Sequence, residues 1–178
     1  MQRVRHHRIR SGIVAGTLAG SVVMVIGVPA AHAAVNCVVG HGVTQTATTV
    51  TGTKGDDTID CGGASPGKTI VGKAGNDTIT GSVGRDHFHG GRGSDILTGA
   101  RGGDTVTGGV GSDTLSGGVG NDILKGGLGV DTLSGGVGHD LLRGPSFDGR
   151  VDTLNGGAYS DRCQGPGPDG DTLVNCNP

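Results

Sequence analysis

The chain has 178 residues, 40 of them glycine, with two Phe, one Tyr and no Trp. All sixteen of its acids are aspartate, against fourteen Lys and Arg, for a formal net charge of −2. This composition excludes an aromatic-rich core and a nucleic-acid partner held by bulk positive charge. It also excludes chemistry that needs a glutamate, including the H-E-x-x-H zinc site.

The chain opens on "MQRVRHHRIR", with four arginines and no acid, followed by the apolar "SGIVAGTLAGSVVMVIGVPA" and then "AHA". A basic head, an apolar middle and a small-x-small exit predict a secretory signal peptide, residues 1–33, cleaved after Ala33. The product is then secreted and extracellular, with no stable membrane insertion, because the apolar run is short, broken by glycine and followed by a cleavage site. Removing 33 of 178 residues leaves 145, one domain's worth. Fourteen basic residues less the four in the leader leave ten, which against sixteen aspartates gives −6. So little apolar surface does not offset the entropy of ordering the backbone, and another source of folding energy is required.

Residues 34–51 are too few for a catalytic domain and read as an N-terminal cap. "GTKGDDTID", Gly52–Asp60, then places Asp57 sixth and Ile59 eighth in a unit of nine. The next stretch, "CGGASPGKTIV", matches G-x-x-x-x-G-K-[ST] at Gly62, Gly67, Lys68 and Thr69, and G-x-S-x-G over Gly63 to Gly67. A phosphate loop needs a strand before it and a helix after it, and a hydrolase elbow needs an α/β sheet. Here "IVGKAGNDTIT" follows. Residues 63–71 are therefore read as a degenerate nonapeptide, with Ile70 eighth and no nucleotide partner. Lys68 stands where Asp belongs, and its ammonium is expected to occupy the charge gap.

From Gly72 to Arg143 the chain divides without a break into GKAGNDTIT, GSVGRDHFH, GGRGSDILT, GARGGDTVT, GGVGSDTLS, GGVGNDILK, GGLGVDTLS and GGVGHDLLR. The sixth residues are Asp77, Asp86, Asp95, Asp104, Asp113, Asp122, Asp131 and Asp140. The eighth are Ile79, Phe88, Leu97, Val106, Leu115, Leu124, Leu133 and Leu142. Glycine at fixed offsets suits tight turns, and the triplet after each Asp suits a short strand whose middle residue faces inward.

This pattern resembles the repeats-in-toxin (RTX) nonapeptide G-G-x-G-x-D-x-U-x, a calcium-binding solenoid repeat. The resemblance implies an all-β fold, a right-handed parallel β-roll with two nonapeptides per turn. The first six residues of each unit form a calcium-holding turn and the last three a strand. It also implies two inward ladders, Ile79, Leu97, Leu115 and Leu133 against Phe88, Val106, Leu124 and Leu142. Equivalent aspartates then stack at about 4.8 Å. Their repulsion, roughly 3.5 kcal/mol per neighbouring pair at a dielectric of about 20, would be reversed by an intervening dication. Several Ca²⁺ ions are expected, held by the eight sixth-position aspartates together with Asp57. Turn carbonyls near Gly91, Gly93, Gly109, Gly111, Gly118, Gly120, Gly127 and Gly129 complete the ligand set. Mg²⁺ demands tighter octahedral geometry and Zn²⁺ wants more His or Cys.

Beyond Arg143 the pairs Asp152 with Leu154, Asp161 with Cys163 and Asp171 with Leu173 keep the pattern with insertions. Residues 144–178 read as irregular turns and a C-terminal cap, with these three aspartates as weaker metal candidates. The four cysteines allow three disulfide connectivities. The local one, Cys37 with Cys61 and Cys163 with Cys176, staples one end each. His41, His87, His89 and His139 have no partner pattern and are expected to be solvated, so no catalytic residue is assigned and no enzyme is expected. One outer strand face carries Thr78, Thr80, Ile96, Thr98, Thr114, Ser116, Thr132 and Ser134. It is similar to the ice-binding face of some bacterial adhesins, which leaves open a surface-binding role with an unassigned protein or polysaccharide partner. The opposite face, with His87, His89, Lys125 and Arg143, is more cationic. An N-terminal export signal departs from the usual RTX pattern of a C-terminal signal.

Overall fold

The computed structural model describes residues 36–64, 67–145, 148–164 and 170–177. The leader expected over residues 1–33 lies outside them. All regular structure among the described residues is strand, sixteen in all. They form two eight-stranded sheets.

In the first sheet lie, in spatial order, β1 (Val38–Val39), β4 (Thr58–Asp60), β6 (Thr78–Thr80), β8 (Ile96–Arg101), β10 (Thr114–Val119), β12 (Thr132–Val137), β14 (Thr153–Ala158) and β16 (Thr172–Val174). The second holds β2 (Thr44–Gln45), β3 (Thr49–Thr51), β5 (Thr69–Ala74), β7 (His87–Arg92), β9 (Thr105–Val110), β11 (Ile123–Leu128), β13 (Leu141–Arg143) and β15 (Arg162–Gln164). From β3 onward successive strands alternate between the sheets, so two nonapeptides make one turn of a β-solenoid. Neighbours within a sheet pair in parallel eighteen residues apart, as in Thr114 with Thr132 and Leu115 with Leu133. The insertion after Arg143 is absorbed between strands, because Leu133 still pairs with Leu154 and Leu142 with Cys163.

The alternation apolar-in, polar-out follows the strand period of two. Ile59, Ile79, Leu97, Leu115, Leu133 and Leu154 form one buried ladder, and Val50, Ile70, Phe88, Val106, Leu124 and Leu142 the other. The interior is thus one side chain wide per half-turn. Val50, from the segment read as a cap, is the first rung of the second ladder.

The strands are longer than the expected triplet. From β7 to β12 they run six residues, through the first three of the next nonapeptide. The reason is the second-position residue, which turns the chain by positive φ without ending the pairing. Gly118 (φ 105) still pairs with Gly136 (φ 106) and Val119 with Val137. A Cβ on Gly109 would lie 2.2 Å from the Gly91 carbonyl oxygen, so the stack itself demands glycine there. Lys73 (φ 89) and Ala100 (φ 80) carry side chains at this position. Both lie beneath Thr53 and Ser82, where the turn above does not extend the strand.

Both ends are finished. At the N-terminus β1 pairs antiparallel with β4 and β2 with β3, closing the edge of each sheet. Disulfides join Cys37 to Cys61 and Cys163 to Cys176. The second bridge ties β15 in one sheet to the chain just after β16 in the other.

Candidate metal centre

Each sixth-position aspartate is placed by the turn before it and the strand after it, and its side chain folds inward beneath the preceding turn. Two columns result. Asp57, Asp77, Asp95, Asp113, Asp131, Asp152 and Asp171 stand beside the first sheet. Lys68, Asp86, Asp104, Asp122, Asp140 and Asp161 stand beside the second. All thirteen side chains are buried.

Within a column one carboxylate oxygen does structural work. The backbone N–H of Asp95 donates to Asp113 Oδ1 at 2.9 Å, and that of Asp113 to Asp131 Oδ1 at 2.9 Å. The same link recurs from Asp57 to Asp171 and from Lys68 to Asp161. The other oxygen is unmet. Among the described residues Oδ2 of Asp77, Asp95, Asp104, Asp113, Asp122, Asp131, Asp140, Asp152, Asp161 and Asp171 is buried without a hydrogen-bond donor. A buried anion left half-paired is costly, so each of these oxygens calls for a cation or a proton. Asp152, Asp161 and Asp171, the weaker candidates by sequence, share this state.

The first-position glycines show what surrounds the unmet oxygens. A Cβ on Gly108 would sit 2.3 Å from Asp113 Oδ2 and 2.7 Å from the Gly126 carbonyl oxygen. On Gly117 it would sit 2.3 Å from Asp122 Oδ2 and 2.7 Å from the Gly135 carbonyl oxygen. Glycine thus keeps open a cradle where a carboxylate oxygen and a backbone carbonyl of the next turn converge. These are first-position carbonyls, in addition to the second- and fourth-position ones expected from the sequence. The carbonyls of Gly91, Gly93, Gly109, Gly111, Gly118 and Gly120 point along the stack, toward the glycines of the following turn. Gly127 and Gly129 occupy the same two positions in the last regular turn of the second sheet. Their positive φ of 121 and 133 matches that of the glycines above them. Among the described residues no three His, Cys, Asp or Glu side chains gather at one point. An ion here would take carboxylates from the columns and its remaining oxygens from the backbone, a hard all-oxygen set that suits calcium.

The electrostatics agree with the geometry. Burial pushes the Asp104 carboxyl up to about 7, against the pull of the Asp86 amide, with Asp122 and Asp86 adding like charge. Burial likewise raises Asp77, Asp113, Asp131, Asp140 and Asp152 to about 6. Asp95 and Asp122 are raised for the same reason.

The N-terminal end of each column is different. Asp57 Oδ2 accepts the Thr53 N–H at 2.6 Å, and Asp86 Oδ2 accepts both the Ser82 N–H at 2.6 Å and its hydroxyl at 2.9 Å. These two carboxylates are satisfied by protein. The signal was legible: Thr53 and Ser82 are hydroxyl residues where the repeat has glycine, four residues before the aspartate. Lys68 is turned inward, and its ammonium donates to the Ala47 carbonyl. It seals the top of the second column, and Thr69 after it opens a strand.

Ser, Thr and Ile of the first sheet stand in register on the outer face, Ile96 with Thr114 and Thr98 with Ser116. His41, His87, His89 and His139 are exposed. His139 lies edge-on to Tyr159, with ring centroids 6.0 Å apart.

A parallel solenoid that buries a half-paired carboxylate at nearly every half-turn has the architecture of a cation-binding repeat protein. The RTX calcium-binding nonapeptide repeat matches residues 44–63, 71–106 and 107–142, in four copies, and the chain belongs to that family. Its repeats bind calcium. A search of curated proteins finds no match.

Proposed function

We propose that this is a secreted, non-catalytic calcium-binding β-roll that folds when it meets calcium outside the cell. The observation that carries this reading is the pair of columns of buried aspartates with an unmet Oδ2. Calcium would be held by Asp77, Asp86, Asp95, Asp104, Asp113, Asp122, Asp131 and Asp140 with turn carbonyls, and by Asp152, Asp161 and Asp171 toward the C-terminus. Asp57 and Asp86, already served by Thr53 and Ser82, are the weakest ligands of their columns. The ion supplies charge neutralisation and cross-links successive turns. The residues do the rest: the glycines keep the cradles open, and each Oδ1 fixes its carboxylate against the turn before it.

The domain plan that fits is a leader over residues 1–33, a cap over 34–51, the roll over 52–143 and irregular closing turns over 144–178. Cytosol poor in free calcium keeps the chain extended for export, and extracellular modules typically bind at roughly 10⁻⁴ to 10⁻³ M. Far-UV circular dichroism of the mature chain tests this. In chelator the strand signal is expected to be absent, to appear with millimolar Ca²⁺ and not to appear with equal Mg²⁺. A spectrum indifferent to calcium refutes the reading.

The register of Thr78, Thr98, Thr114, Ser116, Thr132 and Ser134 on one outer face supports a second role, calcium-dependent surface or ice binding. Thermal hysteresis in calcium that disappears in Thr114→Lys supports it. No hysteresis in the folded wild type removes it.

A further inference from the structure

The two sheets repeat the same nonapeptide, so each outer face is an internal control for the other. At the ninth position the first sheet carries Thr80, Thr98, Ser116 and Ser134, while the second carries His89, Thr107, Lys125 and Arg143. The difference is confined to side chains that strand pairing does not require. It accompanies a groove of about 870 Å³ on the second sheet.

That groove runs across β5, β7, β9, β11 and the end of β13, along the axis of the solenoid. One wall is His89, Lys125 and Arg143; the other is Arg92, Val110 and Leu128, with Lys73 at the N-terminal end. The floor is Gly91, Gly109 and Gly127, the positive-φ residues at which the sheet bends. Glycine is set there by close stacking, and bareness of the floor follows from it. Four of the ten Lys and Arg that follow residue 33 stand on this groove, in a segment whose formal charge is −6.

We propose that this groove binds a linear acidic polysaccharide carrying about one acidic group per sugar. A groove that repeats every turn, about 4.8 Å, matches a polymer with a short repeating unit. Four Lys and Arg side chains spread along its five strands supply about one positive charge per turn. The bare floor admits a sugar ring, and the exposed Val110 and Leu128 side chains offer apolar contact to its C–H face. The arginines pair with planar carboxylates. Single-stranded nucleic acid needs aromatic platforms, and among the described residues the groove walls offer none of Phe, Tyr or Trp. A peptide adding as a strand needs a free sheet edge, and this is a face. Calcium in the aspartate columns would remove the opposing negative field, so the groove is most attractive in the folded, calcium-loaded state.

The test uses the calcium-loaded mature chain and soluble oligosaccharides at fixed Ca²⁺, with calorimetry as the readout. An oligouronate is expected to bind, and a neutral glucan of equal length is not. Lys125→Ser combined with Arg143→Ser, which copies the first sheet, is expected to weaken binding about tenfold. Lys54→Ser combined with Arg101→Ser removes the same charge elsewhere and is expected to leave binding within about twofold. Calcium-induced circular dichroism must be unchanged in both variants, which separates this proposal from the calcium reading. The proposal is overturned by no binding of the oligouronate to the folded protein. It is equally overturned by equal losses in the two double variants, by tighter binding of a sulphated glucan, or by an oligoglutamate of equal charge binding as well.

Discussion

Asp113→Asn separates the two jobs of a column carboxylate. Asparagine keeps the Oδ1 acceptor for the Asp95 N–H, a 2.9 Å bond, and replaces the unmet Oδ2 with a neutral amide nitrogen. Without metal, the substitution removes one buried charge lying between those of Asp95 and Asp131. At a stacking distance of about 4.8 Å each such interaction is worth roughly 1 kcal/mol at a water-like dielectric and about 3.5 kcal/mol at a dielectric of about 20. The metal-free roll should therefore be stabilised by at least about 1 kcal/mol. With calcium the sign reverses. A ligating carboxylate is lost, and the calcium midpoint should rise by about tenfold or more, since affinity in all-oxygen sites follows ligand charge. Circular dichroism reads both effects: in chelator, where the chain starts unfolded, by titration with a folding osmolyte, and with metal by urea denaturation at a series of calcium concentrations. Equal destabilisation in the two conditions would make Asp113 a purely structural residue and refute the argument. So would a calcium midpoint that does not move.

Gly108→Ala is expected to block the Asp113 cradle, because its Cβ would meet Asp113 Oδ2 at 2.3 Å and the Gly126 carbonyl at 2.7 Å. The loss should be about 1–3 kcal/mol of calcium-loaded stability. Gly103→Ala, whose Cβ comes no nearer than 3.2 Å to any atom, should cost distinctly less in the same melts. The pH dependence has a defined sign. Burial raises Asp77, Asp113, Asp131, Asp140 and Asp152 to about 6 and Asp104 to about 7, above the ordinary 3.8. The native state therefore holds more protons than the unfolded one, and the ionised columns oppose folding fully above pH 7. Lowering the pH from 8 to 5 should stabilise the metal-free roll while protons displace calcium and raise its midpoint; in chelator less folding osmolyte should then be needed to bring up the strand signal at pH 5 than at pH 8, and needing more would contradict this. Ser82→Gly removes the hydroxyl bonded to Asp86 at 2.9 Å and converts that half-turn to the repeat consensus. The ion at Asp86 should then bind about tenfold more tightly in a calorimetric calcium titration, because the hydroxyl no longer competes for its carboxylate; an unchanged affinity argues against it.

The nonapeptide made the solenoid legible. A strict Gly, Gly, Asp and apolar phase over 72–143 fixes which side chains face inward, because the strand period of two leaves no other choice once Leu115 and its equivalents are buried. The aspartate columns follow from the same phase, since an eighteen-residue turn stacks Asp95 on Asp113. Outside the regular units the pattern still carried Leu154 and Cys163 into their ladders, because insertions between strands do not disturb their register. What the phase did not show is how far pairing runs past the triplet, or that Val50 is a core rung. Both depend on the neighbouring turn and not on the residue's own repeat.

Composition and periodicity by themselves determined that this chain has too little apolar surface for an ordinary core, and that its aspartates must stack. Only the tertiary structure decided which oxygen of each carboxylate is spent on the backbone and which is left for a cation. Only it showed that Thr53, Ser82 and Lys68 close the tops of the columns, and that the second sheet's cations share one glycine-floored groove. These are relations between residues about eighteen apart. A repeat places such residues in the same column, but their hydrogen bonds and open spaces arise only when the turns lie against one another.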